Sequence, residues 1–396
     1  MTLKELKKYN NIWIYGAGKV GRKVNNILTF LGIDVNGFAV SKFDGTFCIE
    51  REVVEISSIN SPNQDTLFII AVADIFHKEI INTLESKGYT EFIQWNSRHL
   101  NELWRCTEYT FEDRRRNLDK CCFILAGYKE FLWVDIFDRI ERFIPEDIDV
   151  CIISSGLCKE ELSDRAKKNN WSYLATDINS VTIIQNVAMA LYEDYKWIYK
   201  IDEDMFVTEG AFEGLFNCYI MTEKESGYDV GIVAPMIPVN GYGYKKVLDK
   251  LGKVKEYEEL FGKIRIGGNP KSAIETDPNA AVFMWKNTLQ IDELNKLFNN
   301  DKGYSICGVR FSIGFILMKH SFWNGMQGFF VSGNPDMGSD EEEVCSNCII
   351  TSQPIIVADN VVVGHFSFGR QTEIMKEYYN DNREWFSIRN IHTIHK

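Results

Sequence analysis

Three consecutive acids, Asp202, Glu203 and Asp204, interrupt the otherwise apolar stretch KWIYKIDEDMFVTEGAF. Aromatic and β-branched residues before the break read as a buried strand. A carboxylate beside a core must be paired, hydrated or bound to a metal. Alternation along a strand sends Asp202 and Asp204 to one side and Glu203 to the other. Two carboxylates converging at the C-terminal edge of a parallel sheet make a hard-oxygen site suited to Mg2+ or Mn2+. Open α/β sheets bind ligands at that edge, where a metal bridges two phosphates and takes up charge on a leaving diphosphate. The competing reading is a solvated strand end followed by a helix cap.

Three other clusters carry chemistry. His365 follows the apolar run VVV, and a neutral imidazole is a good ligand for Mn2+ beside carboxylates; a hydrogen-bonded core histidine is the alternative. In GSDEEE (338–343), Ser339 and Glu342 satisfy a capping box, and acids in a first helical turn favour the dipole. Gly16, Gly18 and Gly21 form GxGxxG between a strand and a helix, where glycines permit a tight turn and backbone approach to a phosphate. The acid that should close the second strand and hold a ribose is missing, since that strand ends Phe38-Ala39-Val40-Ser41-Lys42 and Asp44 follows in a loop. The glycines therefore serve either helix–strand packing or a nucleotide. A nicotinamide oxidoreductase or sugar epimerase is the alternative function, and it lacks an evident Tyr-x-x-x-Lys pair.

These residues need strands to hold them. NIWIYGAG (11–18), VNGFAVS (35–41), LFIIAVAD (67–74) and TEFIQW (90–95) alternate with helical segments. A second alternation runs through CCFILAG (121–127), DVCIISSG (149–156) and SYLATD (172–177) to the acidic strand. The expected architecture is α/β: a Rossmann-like parallel-sheet domain over 1–110, a linker over 111–120, and a second α/β domain over 121–396. Asn179 or Ser180 caps the helix before the acidic strand, with Val181, Ile184, Ala188 and Leu191 on one face.

At 396 residues two domains are natural, and 45% hydrophobic residues with 13% aromatics suffice for packed cores. A formal charge of −12 argues against a nucleic-acid partner. MTLKELKKYNN leads directly into a strand, with no signal-peptide pattern, and SIGFILM (312–318) is of core-strand length rather than a membrane span. Ten cysteines without dense spacing fit a reducing cytoplasm; Cys345 and Cys348 form one CxxC with no second pair at zinc spacing.

With these residues in view, residues from about 121 to 370 resemble the GT-A class of nucleotide-sugar glycosyltransferases, whose DxD motif follows a buried strand. The resemblance implies that Asp204 is the firmest metal ligand, that Asp202 approaches ribose and metal, and that His365 completes the sphere around Mn2+ or Mg2+. It implies that Gln185 or Asn186 reaches toward the nucleotide, and that GFILMKHSFWNGMQGFF (314–330) lies on the acceptor side. Tyr128 stacks on the base. Asp177 takes over from the acid that the class often carries where this chain has Ser154 and Ser155, or begins a helix. Arg370 meets a phosphate or is simply exposed. Asp340, ahead of Glu341, is the general base of an inverting reaction, removing the acceptor hydroxyl's proton. Residues 238–281 either close over ligand or present a solvated helix face. The N-terminal part resembles Rossmann-like modules attached to bacterial polysaccharide-assembly enzymes. The resulting expectation is a cytoplasmic, metal-dependent glycosyltransferase, at the inner membrane face if peripherally associated. It would move sugar from a nucleotide-sugar donor to a glycan or lipid-linked acceptor in surface polysaccharide biosynthesis.

Overall fold

Every helix and strand follows from a computed structural model, which describes residues 2–43, 45, 51–59, 65–267, 272–301, 303–331 and 338–388; Asp44 lies outside them. The chain is α/β, with two main sheets that belong to two compact units. The first unit comprises residues 1–109, 178–193 and 323–337, and the second comprises 110–177, 194–322 and 338–396.

In the first unit five strands, β1 (Asn11–Tyr15), β2 (Gly37–Val40), β3 (Val53–Glu55), β4 (Thr66–Ile70) and β5 (Phe92–Gln94), form a parallel sheet of order β3-β2-β1-β4-β5. All five residues of β4 are buried, as expected for an interior parallel strand covered on both faces. The short β3 has no apolar run of its own, which is why its pattern does not stand out in the sequence. At two of the three glycines the surroundings leave no room for a side chain. Gly16 has φ +109°, and a Cβ on Gly21 would lie 1.9 Å from the Gly16 carbonyl oxygen, so both positions exclude a side chain. Gly18 is the N-cap of the helix Lys19–Phe30 and has open space around it. Ser41, where a ribose-binding acid was sought, meets the Tyr15 hydroxyl at 2.9 Å.

The helix Val181–Leu191 clusters with this first unit and not with the second, contrary to the expected division at 110–120. Ser180 caps it, accepting from the Ile183 amide. Every residue from Thr182 to Ala190 is buried, so the expected single apolar face is replaced by burial all round. The Arg105 guanidinium ties the helix to Ser97–Trp104 by donating to the Ala190 carbonyl.

In the second unit the strands are β6 (Thr110–Glu112), β7 (Lys120–Leu125), β8 (Ile148–Ser155), β9 (Ser172–Thr176), β10 (Trp197–Asp202), β11 (Met205–Phe206), β12 (Ile232–Met236), β13 (Tyr304–Cys307), β14 (Phe315–Lys319), β15 (Ile355–Val362) and β16 (Gly364–His365). Nine of them form a mixed sheet of order β13-β15-β12-β14-β10-β7-β8-β9-β6. The start of the segment expected as a linker is the edge strand β6, antiparallel to β9. β10 runs parallel to β7 and antiparallel to β14, which places the acids at the C-terminal edge of a buried strand. β11 and β16 form a separate antiparallel pair in which Met205 faces His365. A Cβ on Gly364 would come within 2.4 Å of the Trp285 ring, so only glycine lets β16 approach this closely. No helix among the described residues is long and apolar enough to cross a membrane. The described cysteines are free thiols. Cys345 and Cys348 are buried, and burial pushes their pKa values up to about 11 and about 12.

Candidate active site

The acidic triplet divides its labour. β10 ends at Asp202, and Glu203 and Asp204 form a turn before β11, so strand alternation does not extend through the triplet. The Glu203 carboxylate accepts from the backbone amides of Gly127 and Tyr128, at 2.8 and 2.9 Å, and from the Trp133 indole at 2.6 Å. Three donors on one buried carboxylate fix the loop that follows β7. That loop carries Tyr128 and Lys129 to the strand end.

Asp204 is 3% exposed and faces two partners. Its Oδ2 pairs with the Lys129 ammonium and lies 3.4 Å from His365 Nε2. The Phe366 amide donates to the Asp204 carbonyl, and the β11–β16 pairing holds the imidazole in place. His365 Nδ1 lies 3.4 Å from the Val239 carbonyl and the ring packs edge-on against Phe368, so the imidazole is anchored on three sides. Burial would raise the Asp204 carboxyl, but the Lys129 charge and the His365 imidazole outweigh it and hold it well below the usual carboxylate range. Burial also opposes the charge on Lys129, and Asp204, with Asp202 and Glu203, overcomes it and raises the ammonium's pKa.

Asp202 belongs to a second group. Its Oδ1 lies 2.6 Å from the buried Lys200 ammonium, which also donates to the Ile313 carbonyl at 3.2 Å and lies 3.9 Å from Asp340 Oδ2. Burial, aided by the charges of Asp204 and Asp340 and opposed by Lys200, raises the Asp202 carboxyl to about 6. Asp340 is buried in the first turn of the helix Ser339–Ile350. Gly338, at φ +84°, is the N-cap of that helix, so the expected Ser339 capping box is not formed.

The structure thus brings Asp204 to His365, and Asp202 to Asp340 through Lys200, with Lys129 on Asp204. The other expected site residues lie elsewhere or are already engaged. Asn186 is fully buried; it accepts from the Trp323 indole and the Phe329 amide and donates to the Phe329 carbonyl, so its amide is engaged within the first unit. Gln185 is buried and donates to Val181. Both residues sit on a helix of the first unit. Tyr128 is 56% exposed, with its hydroxyl tied to the Ser155 carbonyl, which leaves the ring presented beside the ends of β7 and β8. Asp177 and Arg370 are exposed. Glu341 pairs with Arg310, which withdraws it from the role of free base.

Lys129 and Lys200 were not anticipated from the sequence. Lys200 lies two positions before Asp202 on the same strand, and period-two alternation is the signal that points to it. Lys129 sits in an irregular loop and leaves no such signal.

A divalent ion is what this donor set suggests, and its fit can be tested. Two ligand atoms bound to one ion at about 2.0–2.2 Å lie about 2.8–3.1 Å apart at an octahedral angle and about 3.3–3.6 Å apart at a tetrahedral one. The separation of 3.4 Å between Asp204 and His365 matches the tetrahedral span and is a few tenths of an ångström wider than the octahedral one. A cationic group, the Lys129 ammonium, already occupies the anionic side of Asp204. Among the described residues no three His, Cys, Asp or Glu side chains form a group that could hold a metal. The protein therefore offers two convergent donors, and Asp202 is committed to Lys200 instead of joining them. Hard cations commonly complete such partial sites with phosphate oxygens and water.

No protein-family model matches the chain, and no curated protein sequence matches it. Among solved structures, the chain is similar to the mannosyltransferase PcManGT from Pyrobaculum calidifontis, in complex with GDP-Man and Mn2+. The identity is 12% and the TM-score 0.38, covering 78% of this chain and 73% of that one. A likeness this loose leaves the functional reading to rest on the residues themselves.

Proposed function

We propose that the chain is a metal-dependent glycosyltransferase of the GT-A type, taking sugar from a nucleotide-sugar donor to a glycan or lipid-linked acceptor. One observation carries the proposal: Asp204 and His365, remote in sequence, present a carboxylate oxygen and an imidazole nitrogen 3.4 Å apart at the C-terminal edge of β10. Asp204 and His365 would hold Mn2+ or Mg2+, which when bound supplies positive charge to the donor diphosphate and its leaving group.

The remaining roles fall to the chain's own residues. Glu203 shapes the loop after β7, so Tyr128 offers a flat, half-exposed ring for the base. Lys129 leaves Asp204 and turns its ammonium to a phosphate. Asp340, fixed beside Lys200, takes the proton from the acceptor hydroxyl as the new bond forms at the anomeric carbon, giving inversion. The first unit is a Rossmann-like domain in which Gly16 and Gly21 serve packing. Assignment to bacterial surface polysaccharide assembly, in the cytoplasm at the inner membrane face, rests on the resemblance of this domain pairing.

Thermal-shift titration of nucleotide sugars with and without Mn2+ tests the proposal. A ligand at about 100 times its Kd stabilises the native state by about 2.7 kcal/mol. Stabilisation should require sugar nucleotide and Mn2+ together and vanish in Asp204→Ala. Stabilisation by NADH alone would instead favour an oxidoreductase.

A further inference from the structure

Away from the acidic strand end, the second unit contains a cavity of about 320 Å3 lined by Tyr244, Tyr257, Phe261, Lys263, Arg265 and Ser272 among others. This volume lies at the small end of the range for small-molecule sites, about 300–1,000 Å3. We propose that it is the binding site for an acidic saccharide, one sugar ring bearing a carboxylate or phosphate, as the acceptor of the transferase. The proposal rests on the glycosyltransferase reading for the word acceptor only.

Three observations carry it. First, Tyr244, Tyr257 and Phe261 form a connected aromatic wall, with centroid separations of 5.5 and 5.0 Å. Phe261, half-buried, gives this wall its apolar edge, and Tyr244 and Tyr257 pack buried behind it. Second, the Tyr257 hydroxyl is buried and without a hydrogen-bond partner among the described residues, although Tyr257 lines the cavity. A buried donor left unpaired costs about 1–3 kcal/mol, which a ligand hydroxyl or anion would relieve. Third, two cations at the cavity form no ion pair with the carboxylates around it among the described residues. Lys263 and Arg265 are exposed, and neither side chain has a partner among the described residues. The nearby carboxylates are engaged with backbone amides: Glu258 with Ile264, Glu275 with Gly241, and Asp277 with Asn279. In a chain of net charge −12, two uncommitted cations at one cavity select for an anion.

The cavity is preorganised and connected to the candidate active site. The Tyr244 hydroxyl donates to the Arg265 carbonyl and accepts from its amide, at 2.8 and 2.7 Å, which pins the segment bearing both cations. The Gly267 amide donates to Gly241, and two residues before Gly241 the Val239 carbonyl meets His365. The chain segment 239–241 therefore touches both the cation-bearing loop and His365.

Isothermal titration of the full chain tests the proposal. The probes are a glucuronate-terminated disaccharide, glucose 1-phosphate, and the matching neutral disaccharide. At least one charged probe should bind saturably, at least tenfold tighter than the neutral one. Affinity should fall at least tenfold in the doubly substituted Lys263→Ala, Arg265→Ala chain and severalfold in Tyr257→Phe, with melting unchanged as a check on folding. Preference for the uronate or the phosphate identifies the source of the anion. The proposal is overturned if no charged probe saturates, if charged and neutral probes bind alike, or if the double variant binds like wild type. Titrating wild type with nucleotide sugar and Mn2+ separates the two readings. Donor binding without acidic-saccharide binding sinks the cavity proposal alone. Acidic-saccharide binding without donor binding leaves the cavity and sinks the transferase.

Discussion

Replacing Lys129 by Met should tighten metal binding while weakening the metal-free protein. The ammonium sits against the buried Asp204 carboxylate, whose other ion-pair partner among the described residues is His365. Removing one partner of a buried ion pair costs about 3–5 kcal/mol, because the remaining charge is left uncompensated. The Lys129 side chain is 30% exposed, so solvent screening brings the expected loss below that range, to about 2–3 kcal/mol. Any divalent ion that binds Asp204 in the native chain must first displace that ammonium and forfeit the same free energy. In Lys129→Met the competition is gone, and since 1.4 kcal/mol is tenfold, Mn2+ should bind about 30- to 140-fold more tightly. The melting temperature without metal should fall, and saturating Mn2+ should recover most of the loss. Calorimetric titration of Mn2+ into wild type and variant, with melting curves at each concentration, reads both effects. Unchanged or weaker Mn2+ affinity in the variant would refute the idea that the ammonium holds the place of a cation.

Three further outcomes follow from the same geometry. Asp340→Asn should lower kcat by about 10²–10⁴ while leaving donor affinity unchanged, as a general base does; equal loss in donor affinity would assign Asp340 to binding. Glu203→Leu removes the carboxylate that accepts three charge-assisted hydrogen bonds beside the loop after β7. Its donor KM should rise and its stability fall by about 2–4 kcal/mol, and a KM left untouched would show that the loop does not form the donor pocket. Arg139→Met strands the buried Asp292 carboxylate and frees the Val207 and Phe386 carbonyls that the guanidinium holds. Stability should drop by about 3–5 kcal/mol in chemical denaturation, and Arg139→Met with Asp292→Leu should recover a large part of it.

Local patterns in the sequence were enough to expose the α/β alternation, because each interior strand is a run of β-branched and aromatic residues bounded by polar turns. β3 and β6 escaped, being three residues long, with two and one apolar residues respectively. The division of the chain also escaped, since the helix Val181–Leu191 joins the first unit through partners far along the chain, such as Arg105 and Trp323. At the candidate site, residue type singled out Asp204 and His365, two groups whose chemistry is conspicuous. What each acid does is set by its neighbours in space. Glu203 looks equivalent to its flanking aspartates in sequence, yet two amides and an indole claim it. Asn186 looks like a free polar group on a helix, yet it spends its amide on Trp323 and Phe329. Hydrogen-bond capacity is finite, and sequence does not show where it has been used.

Pulsed electron paramagnetic resonance of Mn2+ bound to the full chain with a nucleoside diphosphate tests the central pairing most directly. Couplings from a ligating imidazole nitrogen should be present in wild type and shift in chain grown with 15N-histidine. They should disappear in His365→Gln, while Asp204→Ala should lose tight Mn2+ binding altogether. Mn2+ that binds with phosphorus couplings but no nitrogen coupling, and binds Asp204→Ala equally well, would contradict a shared cation between these two residues.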